Sequence, residues 1–107
     1  MNKIAIPTKN NRVAEHFGRC PEYTIFEVDN NKIKNKKNIN NPGHKPGYLP
    51  RYLNELGADC ILACGMGHKA KDIFDKHNIE VVTGVTGGVD KAIELYLKDE
   101  LNTENNI

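Results

Sequence analysis

Asp59-Cys-Ile-Leu-Ala-Cys-Gly-Met-Gly67 decides how this chain folds, because one acid, a continuous apolar run and a glycine turn follow each other without a break. A strand buried on both faces reads this way, in contrast to the alternation of a half-exposed strand. Beyond the turn the period changes. Ala70, Ile73, Phe74 and His77 form the stripe of a helix, Ile79 to Thr83 reads as a second buried strand, and Gly84 to Gly88 as a second glycine turn. Val89, Ala92, Ile93, Tyr96 and Leu97 then line a last helix. Upstream, Leu49, Tyr52, Leu53 and Leu56 fall at i, i+3, i+4 and i+7 on a helix that stops at Gly57. Helix, strand, helix, strand, helix is an α/β unit, and right-handed crossovers make its two strands parallel.

The first half adds antiparallel structure. Lys3-Ile-Ala-Ile-Pro7 reads as a strand ending at residue 6 or 7, and Thr8 to Pro21 as a loop. Tyr23 to Val28 and Lys32 to about Ile39 read as a hairpin turned by Asp29-Asn30-Asn31. The lysine-rich second strand belongs near a sheet edge. Asn40 to Gly47 carries two Pro and two Gly and reads as a loop. The expectation is an α/β fold built on a mixed five-stranded sheet with three main helices. The first strand should lie beside the parallel pair, with the hairpin toward one edge. Residues 1–101 are expected to form a single domain and 102–107 a frayed tail.

A chain of 107 residues has room for one core and excludes a two-domain enzyme with a closing cleft. A net charge of +1 neutralises few phosphates, so no nucleic-acid partner is expected. No apolar run approaches the roughly 20 residues of a membrane span, and the N-terminus lacks the apolar stretch of a signal peptide. A cytoplasmic location, without membrane partners, is expected. Three cysteines, an odd number, form no closed disulfide framework and read as thiols for packing, metal or redox chemistry.

In open α/β sheets ligands bind beyond the carboxyl ends of the parallel strands. The loops there carry His16, Cys20, Cys64, Met66 and His68, and the Pro/Gly loop with His44 precedes a helix that could reach the same end. Cys64, at the junction of a buried strand and a helix start, faces free N–H groups that favour thiolate. The bland alternative is a small residue packed under the turn. Cys60 sits about 13 Å from Cys64 along an extended strand and reads as core. Cys20, in a polar loop, is a poor core candidate and a candidate ligand. His16 and His44 read either as ligands or as solvated loop residues, and His68 mainly as a surface residue. The glycine turns Gly65–Gly67 and Gly84–Gly88 suit an anion, yet no phosphate-binding fingerprint accompanies either. An anionic metal–sulfur species, held by Cys20 and Cys64 with His16 or His44 as further metal ligands, fits these residue types.

Lys3-Ile-Ala-Ile-Pro7, Glu15-His-Phe-Gly-Arg-Cys20, Gly47-Tyr-Leu-Pro-Arg-Tyr-Leu53, Gly65-Met-Gly67 and Gly84-Val-Thr-Gly87 resemble, in order and spacing, the dinitrogenase iron-molybdenum cofactor biosynthesis family. That family includes NifX-like carriers and the NifB C-terminal domain. The resemblance covers about residues 1–101. It implies a ribonuclease H-like fold and a non-catalytic role in binding, carrying or storing an iron-sulfur or iron-molybdenum-sulfur cofactor or its precursor. It places the cofactor at His16, Phe17 and Gly18, at Gly65, Met66 and Gly67, and at the Gly84 and Gly87 turn. Cys64 and His68 depart from its usual pattern. The implied partners are cluster donor and acceptor proteins, with the chain a monomer or weak homo-oligomer. Two rivals stay open: a small enzyme with Cys20 or Cys64 as nucleophile and His16 or His44 as base, and a module binding a phosphate compound. A nuclease is excluded because Lys3 to Pro7 offers no acid for a two-metal cage.

Overall fold

The computed structural model describes residues 2–41 and 48–98, so His44 and the tail expected at 102–107 lie outside the described residues. Six strands and three helices follow in the order β1 (Asn2–Lys9), β2 (Arg12–Val13), β3 (Glu22–Asp29), β4 (Lys32–Asn40), α1 (Tyr48–Glu55), β5 (Cys60–Leu62), α2 (His68–Lys76), β6 (Glu80–Val82) and α3 (Val89–Leu97). The sheet order is β4-β3-β1-β5-β6, with β2 paired to β1 off this path. β1 pairs with β5, and β5 with β6, in parallel, whereas β3, β4 and β2 are antiparallel to their neighbours. The mixed sheet, with the first strand beside the parallel pair and the hairpin at one edge, is the architecture expected from the pattern of apolar residues.

The sixth strand is the addition. β1 runs through Pro7 to Lys9, and Asn10 and Asn11, at φ of 52° and 63°, turn it directly into β2. Asn tolerates the left-handed region that such a two-residue turn demands at both positions. Asn30 and Asn31, at 52° and 61°, make the same turn between β3 and β4. Pro7 does not stop β1, because its carbonyl faces away from β3 and accepts the Ala14 N–H at 2.8 Å. Its missing N–H lies on that same side, where pairing with β5 has ended at Ala5, so no ladder bond is lost.

Alternate residues feed two cores. Ala5, Tyr23, Ile25, Ile61 and Ala63 pack with Leu53 of α1 and Phe74 of α2. Ile4, Ile6, Phe26, Val28, Cys60 and Leu62 pack on the other face with Val89, Ala92 and Ile93 of α3. Thr8 and Thr24 are fully buried but satisfied, their hydroxyls 2.7 Å apart and that of Thr8 also 2.7 Å from the Ile6 carbonyl. β6 differs from the buried strand expected at Ile79 to Thr83: Glu80 is exposed and Val81 and Val82 only half-buried, since β6 is the sheet's second edge. His77, placed by its spacing on the apolar stripe of α2, lies instead at the exposed C-cap, where its N–H bonds to the Ile73 and Phe74 carbonyls.

Candidate functional site

The parallel strands β1, β5 and β6 deliver their carboxyl ends to one edge of the molecule. The connector from Asn10 to Arg19 is laced to the glycine turns there. Val13 N–H donates to the Gly87 carbonyl at 2.8 Å, and Val89 N–H to the Asn11 carbonyl at 3.1 Å, closing a bridge between Arg12 and Gly88. Further along, Gly65 N–H donates to Glu15 and Phe17 N–H to Gly65, each at 3.0 Å, which sets His16 against Gly65. The two turns are themselves joined by Gly84 N–H to the Cys64 carbonyl at 2.9 Å. His16, Cys64, Gly65–Gly67 and Gly84–Gly88 thus form one constellation.

Each glycine has its own reason. A Cβ at Gly65 would stand 2.8 Å from the Glu15 carbonyl oxygen, so the connector can approach only a glycine. Gly84, at φ of 78°, supplies the left-handed conformation that turns the chain sharply after β6. Gly67 is different. Its φ of −71° suits any residue and a Cβ there would meet nothing within 4 Å, so neither strain nor packing demands glycine. Gly87, although its φ is 94°, also faces open space. Gly67 and Gly88 are the N-caps of α2 and α3 and offer no side-chain cap; at α3 the Asn11 carbonyl already takes the Val89 N–H, whereas the α2 start faces open space at Gly67.

Phe17 and Cys20 require correction. Phe17 is 5% exposed, its ring centroid 5.4 Å from Phe74 and 5.6 Å from Tyr23, so it anchors the short 3-10 turn Phe17–Arg19 in the core. Cys20, expected as an accessible loop thiol, is 4% exposed. Its Sγ donates to the Phe17 carbonyl at 3.4 Å, beside the Tyr23 hydroxyl on the same oxygen at 2.7 Å. Burial pushes the Cys20 thiol up, away from the thiolate. The polar neighbours of Cys20 in sequence concealed that β3 turns Tyr23 and Cys20 inward beneath the connector. Gly18 is half-buried, its carbonyl 3.4 Å from the Asn41 amide. Met66 packs on the edge of the first core, and His16 and His68 are exposed.

Cys60 is core, as expected, and donates to Glu80 Oε1 at 3.3 Å; burial pushes it up to about 12. It borders the larger cavity, about 840 Å³, which opens at the opposite end of the sheet among Asp29, Asp59, Glu80 and Tyr96. The glycine end has a smaller cleft of about 370 Å³, lined by Lys9, Arg12, Glu15, His16, Arg19 and Cys20 among others. Sequence reasoning passed over those cations; the repeated Asn-Asn doublet, which places Lys9 opposite Arg12, is the signal that would have found them.

No group of three or more His, Cys, Asp or Glu side chains among the described residues could hold a metal ion. A set of Cys20, Cys64 and His16 around one bare ion is therefore not what the chain builds. Its donors, a half-buried thiol, an exposed imidazole, helix N–H groups and neighbouring cations, suit a larger anionic group.

Fold and site together define a small α/β protein with glycine turns and a cation-lined cleft at the carboxyl ends of its parallel strands. The chain belongs to the dinitrogenase iron-molybdenum cofactor family, whose model matches residues 1–99. It is 36% identical over 104 residues to the uncharacterised protein MJ0580 of Methanocaldococcus jannaschii, covering 92% of this chain and 88% of that one. The crystal structure of PH0822 matches with a TM-score of 0.92 at 28% identity, over 97% of this chain and 96% of its own. MJ0327 of Methanocaldococcus jannaschii, described as a candidate dinitrogenase, matches in fold with a TM-score of 0.79 at 24% identity, over 100% and 99%. Membership ties the chain to the cofactor's chemistry. The α/β fold with its mixed sheet is common to the chain and these solved structures.

Proposed function

We propose that this chain binds an anionic iron-sulfur or iron-molybdenum-sulfur cofactor or precursor and hands it on to another protein. The observation that carries this reading is the open space over Gly67, at the start of α2, and over Gly87, in the turn before α3, beside Cys64 and His16. Sulfide and thiolate carry negative charge, and hydrogen bonds to sulfur tune such clusters. Helix N–H groups therefore stabilise the cargo without a closed cage. Cys64 and His16 supply the protein ligands in this reading, His44 a further candidate from outside the described residues, and Cys20 the support beneath the turn. With so few covalent ligands the cargo should exchange readily, as a carrier requires. The role is non-catalytic, carried by one domain over residues 1–101, in the cytoplasm, as a monomer or weak homo-oligomer with donor and acceptor proteins as partners. No helix among the described residues is long and apolar enough to cross a membrane.

Anaerobic reconstitution with iron and sulfide, followed by visible absorption and circular dichroism, tests the reading. Wild type should gain a sulfur-to-iron chromophore that Cys64→Ala and His16→Ala each lose in large part, while Cys60→Ala keeps it. A wild-type protein that takes up no cluster, or a Cys64→Ala/His16→Ala double variant with the full spectrum, would overturn it.

A further inference from the structure

We propose that the cleft between Lys9, Arg12 and Arg19 is a binding site for a divalent tetrahedral oxyanion, a ligand class beyond the metal–sulfur cargo. The cleft has a volume of about 370 Å³ and Glu15 is the single acid in its lining. Lys9 and Arg12 are direct cross-strand partners on either side of the Asn10-Asn11 turn. Two like charges placed so repel each other on the same face of the ribbon, unless an anion lies between them. Among the described residues the ion pairs are Lys36 with Asp90 at 2.9 Å and Lys98 with Glu94 at 3.1 Å, both elsewhere. Neither Lys9, Arg12 nor Arg19 is neutralised by a carboxylate there.

The frame is rigid as well as charged. The β1–β2 turn is held by Val13 on Gly87 and by Asn11 under Val89. Arg19 ends a turn whose Phe17 carbonyl is fixed by both Tyr23 and Cys20. The held backbone removes the cost of ordering the loop on binding, so only the exposed side chains of Lys9, Arg12 and Arg19 give up rotamer freedom. The guanidinium fork matches paired oxyanion oxygens, Lys9 adds a point charge, and His16, in the same lining, adds a ring N–H donor. A divalent oxyanion fits three cations offset by one acid. Chloride, with one charge and no oxygen pair, does not use the forks.

The test titrates the apo protein, so that oxyanion binding and cluster uptake fail or succeed separately. Phosphate and molybdate are added at low ionic strength, with chloride at matched ionic strength as reference, and backbone amide resonances are followed by NMR. Saturable submillimolar changes over residues 9–19 are expected with both oxyanions. Arg12→Gln and Arg19→Gln should each weaken binding about tenfold, since a charge-assisted bond is lost. Lys36→Gln, remote on β4, should leave it unchanged. A phosphate monoester that saturates the same amides more tightly would support the site and mark an organic phosphate as its source. Changes no larger than those with chloride would overturn the proposal. So would wild-type affinity in the Arg12→Gln/Arg19→Gln double variant, or equal weakening by Lys36→Gln.

Discussion

Gly65→Ala separates packing from ligand approach more sharply than any other single change. The new Cβ would lie 2.8 Å from the backbone oxygen of Glu15, and retreat to ordinary contact at 3.4 Å demands a movement of about 0.6 Å. That movement acts on two hydrogen bonds, Gly65 to Glu15 and Phe17 to Gly65, both already 3.0 Å long. A strained contact of this kind costs about 1–3 kcal/mol, and weakening the bonds adds about 1 kcal/mol. The expected loss is therefore about 2–4 kcal/mol, a large share of a typical stability of about 5–15 kcal/mol. Gly67→Ala is the matched control, since φ of −71° and empty space accept a methyl group. Its stability should stay within about 1 kcal/mol of wild type, a weaker N-cap being offset by a less flexible unfolded chain. Its cluster uptake should fall all the same, because the methyl group stands where the cargo approaches. Urea unfolding followed by far-ultraviolet circular dichroism reads the stabilities, with an unchanged slope confirming that the same cooperative unit is compared. Equal stabilities for the two variants, or a Gly65→Ala protein within about 0.5 kcal/mol of wild type, would refute the close-approach argument.

Stability should decline in alkali. Cys20 and Cys60 both have raised folded values, so their contribution is complete below the ordinary thiol value of 9.0 and is lost as pH rises toward about 12 for Cys60. Moving a titration by one pH unit between the unfolded and folded states changes stability by about 1.4 kcal/mol, so Cys60→Ala should flatten the profile of urea midpoints between about pH 9 and 11; an unchanged slope would contradict the buried-thiol assignment. Tyr23→Phe removes the 2.7 Å donor on the Phe17 carbonyl and leaves only the Cys20 thiol, at an expected cost of about 1–2 kcal/mol with faster amide exchange over residues 17–19. Protection equal to wild type would show that the aromatic packing alone holds that turn. Cys60→Ala should cost about 1–2 kcal/mol without altering cluster uptake; loss of the chromophore in that variant would move the site to the other end of the sheet.

Periodicity carried most of the fold. The uninterrupted apolar run Cys60 to Ala63 and the helical stripes of Leu53, Phe74 and Ile93 were legible because burial requires every second or every third and fourth residue to be apolar. β2 was not legible as a strand, since two residues have no period, although its Asn-Asn turn repeats the one before β4. β6 misled in the opposite direction. Its apolar residues suit a central strand, but strand order, which local pattern does not encode, put it at the edge.

For the site, the sequence by itself determined which chemical groups the loops carry and that Gly65-Met-Gly67 and Gly84–Gly88 open helices. Tertiary structure decided how those groups are arranged. It buried Cys20, because Tyr23 and Phe17 fold over the loop, and it brought His16 to Gly65 through two backbone bonds across nearly 50 positions of chain. It also set Lys9 against Arg12 and gathered Arg19 beside them. Composition states how many charges and thiols a chain owns; only the pairing of the connector with the strand ends determines which face each other and which are hidden from water.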